Sequence, residues 1–552
     1  MKNKTGSFYI WAKSGNIDWK LLIFLLLFLN VKLVFKIAAI VLIYILRPDF
    51  KFGFRIKNSR LPVFYLLVIG IAVFNWLISG MITHFNYNLV LMTGILFWVL
   101  CILAIHQIKL SVEKNDPEII HRTILVFIII NVMVSLAVYA GIVWETGAIN
   151  PYLYQGNYQK YFIGTGDYIK GLTFDTSTTN AVLNAIGVIY FLLRGKNMLT
   201  ILCMAVLLLT GSNITNLLLC ATLVFIFFFQ SNRDQKSIII VCLVMLVTFF
   251  VKVSPQNNDY VTNAYQQLFK IKPGDKKSVA SNIPITQLPD SILTDEQKKQ
   301  KIAMLYMDSI NISVFEKNRE RSNDAITSVS TPVFKEKPVI PKDSIHTPAF
   351  QHKHDTNATE KTLLQFVEKN DTAVPISAGL TTRPSLPGKL VALQQTSRFF
   401  MKHPVKLLTG TGIGNFSSKL AFRTTSMKIT GGYPARFTYI NDDFKSNHLD
   451  IYLYYFANKD DYHSIINSPN STYDQLVSEY GLAGFFSFAF FYIAFFMKQI
   501  KKRTYAITLL LFMLGAFFIE YWFEQLSVVV FFELLILLNI KETTVKKNYE
   551  NN

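Results

Sequence analysis

Between residues 19 and 540 the chain repeats one pattern: an apolar run close to the roughly 20 residues a helix needs to cross a bilayer, then a short turn, often basic. Only the polar segment 254–474 interrupts it. Such runs are too long and too uniformly apolar for the surface of a soluble domain. Composition agrees, with 51% hydrophobic and 16% charged residues, where an ordinary soluble domain carries about a quarter charged. The expected fold is therefore an all-α polytopic membrane protein.

Residues 19–46 are apolar apart from Lys32 and Lys36 and exceed one span, so a hairpin of two short helices is expected. Arg47, Lys51, Arg55, Lys57 and Arg60 follow and mark a cytoplasmic loop by the positive-inside rule. Further spans are expected at 61–83, 89–110, 122–145, 177–193, 198–210, 213–229, 236–253, 479–497, 504–521 and 525–540. This makes about 12 transmembrane helices. Both termini, and the cluster Lys498, Lys501, Lys502 and Arg503, then lie on the cytoplasmic side.

Three regions follow. Residues 1–253 form an N-terminal transmembrane bundle, beginning with an anchor rather than a cleaved signal. Residues 254–474 form a large extracytoplasmic loop between late spans, and 475–552 carry the last helices and a cytoplasmic tail. Within the loop, 272–387 is rich in Lys, Asp, Ser, Thr and Pro and is expected to be disordered, with one helix at 294–309. Residues 388–474, with aromatics and glycines, are expected to be ordered.

The net charge of +19 is spread over membrane-flanking turns and the loop, which argues against nucleic acid and for membrane lipids and anionic substrates. All four cysteines sit in apolar runs, so neither disulfides nor thiolate metal sites are expected in the loop.

Two motifs carry chemistry. The first runs from Gly388-Lys389 through Arg398 and His403-Pro404 to Gly410-Thr-Gly-Ile-Gly414-Asn415-Phe416. Glycines permit positive φ, so the amides around Gly412, Gly414 and Asn415 could surround an anion; an ordinary tight turn is the alternative. No Lys-Ser/Thr pair follows, which excludes a nucleotide P-loop. The second motif, Ser468-Pro469-Asn470-Ser471-Thr472-Tyr473-Asp474 through Glu479-Tyr480-Gly481-Leu482-Ala483-Gly484, runs straight into an apolar helix. Its polar side chains fall at the water–lipid boundary.

These motifs, with Gly171-Leu172-Thr173-Phe174, Asn180 and Thr210-Gly211-Ser212, resemble the O-antigen ligase and Wzy-type polymerase superfamily. The resemblance implies a GT-C-like, metal-independent glycosyltransferase of the bacterial inner membrane, without cofactor. It would move a glycan from an undecaprenyl diphosphate carrier to an acceptor hydroxyl on a glycan, lipid A core or protein, at the periplasmic face. Arginines of the family bind the carrier diphosphate, and a loop histidine assists the acceptor. Here the positions of two such arginines are Lys389 and Asn213, and that of the histidine is Asn470, which cannot act as a base.

On this reading Lys389 stabilises the leaving group, as a point charge without arginine's fork. Arg398, nine residues on, falls on the opposite helix face, at the rim. Lys419 and Arg423, four apart, share a face suited to phosphate. His448 and His403 are the loop histidines near the motifs, expected to be accessible for proton transfer. Glu479 caps or orients, Asn470 and Tyr473 complete the substrate-binding set, and Glu520 and Glu524 are boundary carboxylates with functional potential. A transporter or flippase of lipid-linked glycan, and an inactive scaffolding member, are the alternatives. An impermeant thiol reagent is expected to label Ser330→Cys in intact spheroplasts and to spare Thr504→Cys; the reverse pattern would overturn the orientation.

Overall fold

The computed structural model describes residues 17–55, 58–153, 165–254, 388–425, 437–449, 451–452, 468–500 and 504–550. The expected disordered stretch 272–387 and the helix at 294–309 lie outside them. Among the described residues the chain is helical and contains no strand.

The apolar run 19–46 folds as α1 (Trp19–Phe28) and α2 (Leu33–Leu46), the expected hairpin. Asp18 starts α1 by accepting from the Leu21 amide at 3.1 Å. There follow α3 (Phe64–Ile78), α4 (Phe85–Lys114), α5 (Pro117–Thr146), α6 (Ser177–Leu193), α7 (Asn197–Leu209), α8 (Asn213–Phe229) and α9 (Arg233–Val253). Pro117 opens α5 at a position whose amide needs no helical partner. The loop contributes α10 (Gly388–Lys402) and the short α11 (Lys406–Thr409), α12 (Lys419–Arg423) and α13 (Asp442–Asn447). The chain then enters α14 (Thr472–Gln499), α15 (Tyr505–Ala516), the single turn α16 (Trp522–Gln525) and α17 (Ser527–Glu550).

Among the described residues four helices, α4, α5, α9 and α14, are long and apolar enough to cross a membrane, and seven shorter apolar helices accompany them. This is a membrane protein's architecture. Helix α17 lies at its centre: residues 528–538 are buried on every face and pack against α4, α5, α6 and α15. A helix apolar all round requires such a surround. Its one interior carboxylate, Glu533, accepts from the hydroxyls of Tyr492 at 3.0 Å and of Tyr65. Helix α9 is peripheral and turns Ile240, Val241, Val244 and Val247 outward.

The basic turns gather at one end. Arg47 donates to Ser111 at 2.6 Å, Arg60 pairs with Glu113, and Arg194 pairs with Glu542 at 2.7 Å. Lys541 donates to the carbonyls of Val112 and Glu113 at 2.7 and 3.2 Å, groups at the end of α4 that have no helical partner. At the opposite end the loop helices meet the bundle: Asn75 of α3 donates to the Thr409 carbonyl, and Asn415 donates to Tyr87 of α4 at 3.1 Å.

The motif 171–174 is part of the scaffold at this second end. Asn180 accepts from Asn131 at 2.9 Å and donates to Ser135 at 3.1 Å and the Ile169 carbonyl at 2.9 Å. Gly171, at φ +59°, lies so close that a Cβ would overlap both asparagines. Thr173 in turn accepts from the Val31 amide at 2.8 Å, fastening the α1–α2 turn. Removing the Asn180 carboxamide strands several buried polar groups, each costing about 1–3 kcal/mol. Asn180→Ala is therefore expected to lower the melting temperature of the detergent-solubilised protein clearly; an unchanged melting temperature would refute the role.

Candidate functional site

The two motifs form one unit. Helix α14 breaks at Gly481, whose φ is +66°, and its backbone there abuts the residues after α11. A Cβ on Gly481 would overlap the Leu408 carbonyl, and one on Gly410 would overlap the Glu479 carbonyl. Only glycine at both positions permits this approach. The carbonyls of Ser478 and Glu479, beside the break, accept from the amides of Thr411 and Gly412, each at 3.0 Å.

The glycine turn does surround an acidic group, and that group is the Glu479 carboxyl. Its carboxylate accepts from the Gly414 amide at 2.9 Å, the Phe416 amide at 3.2 Å and the Ser418 hydroxyl at 2.6 Å. Glu479 is fully buried. Asn415 is equally enclosed: it donates to Tyr87 and to the Thr411 carbonyl at 2.8 Å, and accepts from Tyr439 at 3.0 Å. Gly412, Gly414, Asn415 and Glu479 are thus brought together as the frame, not as groups facing open space. Tyr473 pins α14 to α15 by donating to the Leu514 carbonyl at 2.6 Å.

Glu524 frames the other side. It accepts from Gln475 at 2.7 Å and from the Leu420 amide at 3.1 Å, fixing the start of α12. The next-door cations, Lys419 and Arg423, are partly exposed on that short helix. Neither has a hydrogen-bond or ion-pair partner among the described residues.

Helix α10 separates Lys389 from Arg398 as expected: Lys389 is buried and Arg398 exposed. The Lys389 ammonium donates to the Ser468 carbonyl at 3.0 Å. Burial lowers its pKa to about 8, against the pull of nearby Glu520. His448 departs from expectation. It is wholly buried, stacked on Phe416 with ring centroids 4.8 Å apart, because α10 and α13 close over it. Its Nδ1 lies 2.9 Å from Gln395 Oε1 and its Nε2 3.9 Å from Asp474. Burial pushes the imidazole down to about 3, so it is neutral at ordinary pH. His403 is the exposed histidine, just past α10.

Asn470 donates to Glu520 Oε1 at 2.7 Å. Around Glu520 stand Lys419, Lys389 and Asp175, all within electrostatic reach. Asp175 and Lys419 also act on Lys36 of α2, whose ammonium donates to the Phe28 carbonyl at 2.9 Å and to Ser527 at 3.2 Å. None of these cations is in ion-pair contact with either carboxylate among the described residues. Charges of both signs are thus held within electrostatic reach of one another without ion-pair contact among the described residues. The sequence reading did not include Lys36 or Asp175 in the site, although a lysine inside an otherwise apolar run was the available signal for the first.

Comparison with family models, curated proteins and solved structures finds no match to this chain. Removing the Glu479 carboxylate would leave two amides and a hydroxyl buried without an acceptor. Glu479→Ala is expected to destabilise the protein by about 3 kcal/mol or more, and Glu479→Gln by less. Thermal unfolding in detergent checks this, and equal stability of Glu479→Ala and wild type would refute the frame.

Proposed function

We propose that this chain is a glycosyltransferase of the bacterial inner membrane that moves a glycan from an undecaprenyl diphosphate carrier to an acceptor hydroxyl. The observation that carries the reading is the pair Lys419 and Arg423, held on a helix fixed by Glu524 and without partners among the described residues at the loop end of the bundle. A departing diphosphate needs fixed cations, and preorganised donors act without reorganising during the reaction. Sugar hydroxyls need acceptors, and Glu520 lies within electrostatic reach of Lys419, with Asp175 nearby. Lys389 adds positive charge from α10 below about pH 8.

In this reading the helices make about twelve spans of a GT-C-like fold. The basic end is cytoplasmic, with both termini, and the loop is periplasmic. The acceptor is a glycan, lipid A core or protein. Lys389 acts on the site electrostatically from beneath Ser468, while Arg398 belongs to the rim.

The test is turnover of carrier-linked glycan in membranes containing the full chain. Lys419→Ala with Arg423→Ala is expected to cut transfer about 100- to 1,000-fold with the protein still folded. Relocation of the lipid without cleavage of its diphosphate link would mark a flippase instead. Lys389 is cationic below about pH 8 and loses its charge as pH rises through that value. Transfer should therefore fall on the alkaline side of about pH 8, and Lys389→Arg should keep it to higher pH. Rates independent of pH there would remove Lys389 from the mechanism.

A further inference from the structure

We propose that Glu520 is the proton acceptor of the transfer step and that Asn470 is its positioning residue, an inference that rests on the glycosyl-transfer reading. In that step the acceptor hydroxyl oxygen bonds to the anomeric carbon. The bond from that carbon to the carrier diphosphate breaks, and its electron pair leaves with the diphosphate. The hydroxyl proton must go to a base within reach, and afterwards to water.

The described residues near the site leave few groups able to take it. His448 and Asp474 are fully enclosed and cannot meet an acceptor. His403 stands fourteen residues beyond Lys389 along and just past α10, roughly 20 Å away at helical rise. Glu479 has both oxygens occupied by Gly414, Phe416 and Ser418. Glu524 has both occupied by Gln475 and Leu420. Asp175 is nearly closed off, and one of its oxygens accepts from Thr179 at 3.0 Å.

Glu520 differs from all of these. Its Oε1 accepts from Asn470 at 2.7 Å and from the Tyr521 amide at 3.3 Å, while Oε2 has no partner among the described residues. The residue is partly exposed and lies in the linker after α15. Its backbone carbonyl accepts from Thr472 at 2.7 Å, so segment 468–472 holds it at both ends. Lys389, bonded to Ser468, steadies the same segment. Lys419 and Lys389 lie within electrostatic reach of it, so a diphosphate drawn to them would lie near a waiting carboxylate. The Asn470 carboxamide, by occupying Oε1, fixes the carboxylate and leaves Oε2 for the acceptor proton.

The experiment uses the full chain in membranes of its own host, reading carrier-linked against transferred glycan by mass spectrometry. Binding is read as thermal stabilisation of the purified chain by undecaprenyl diphosphate. Deleting the protein should make carrier-linked glycan accumulate; no accumulation would overturn the functional reading, and this proposal with it. Given accumulation, Glu520→Gln should lower transfer about 100-fold or more while undecaprenyl diphosphate still binds. Glu520→Asp, folded in either case, should recover part of the activity. Asn470→Ala should cost about 10-fold alone and nothing further in the Glu520→Gln background, the non-additivity of residues acting as a unit. Wild-type transfer by Glu520→Gln or by Glu520→Asp, loss of carrier binding with turnover, or an additive Asn470→Ala effect would each overturn the assignment.

Discussion

The buried carboxylate of Glu479, held by two backbone amides and a hydroxyl of the glycine turn, is the constraint from which the rest of the site follows. Two segments far apart in sequence meet because one breaks its helix at Gly481 and the other bends at Gly410, each where a side chain would collide with backbone. The break exposes carbonyls, the turn supplies amides, and the carboxylate satisfies what remains. A buried charge is costly unless fully hydrogen-bonded, and here every contact also fixes geometry. With that junction made, α12 starts where Glu524 can hold it, and Lys419 and Arg423 stand partly exposed on it.

The site divides its charges between frame and opening. Glu479 and Glu524 bind backbone; Lys36 and Lys389 are buried and bonded to carbonyls. Among the described residues, Lys419, Arg423 and one oxygen of Glu520 have no partner and are available to a ligand. This division matters because a charge already engaged contributes field but not contact, whereas an unengaged one can do both.

Much of the helical framework was legible in the sequence. Spans read at 177–193 and 213–229 coincide with α6 and α8, because polar caps and turn residues bound their apolar runs sharply. The hairpin in 19–46 followed from length alone. The site was less legible. A glycine-rich turn announces that amides will surround an acceptor, but not that the acceptor lies sixty-odd residues on in the same chain. His448 reads as a loop residue, and its burial depends on α10 and α13 packing together, which no local pattern encodes. Lys36 reads as an interruption of an apolar run, and its place beside Asp175 requires the tertiary fold.

The most direct measurement is a high-resolution cryo-electron microscopy map of the full chain with undecaprenyl diphosphate bound. The account predicts phosphate density against Lys419 and Arg423, with Glu479 still seated in the glycine turn and Asn470 on Glu520. Phosphate on the amides of Gly414 and Phe416, with Glu479 displaced, would contradict it.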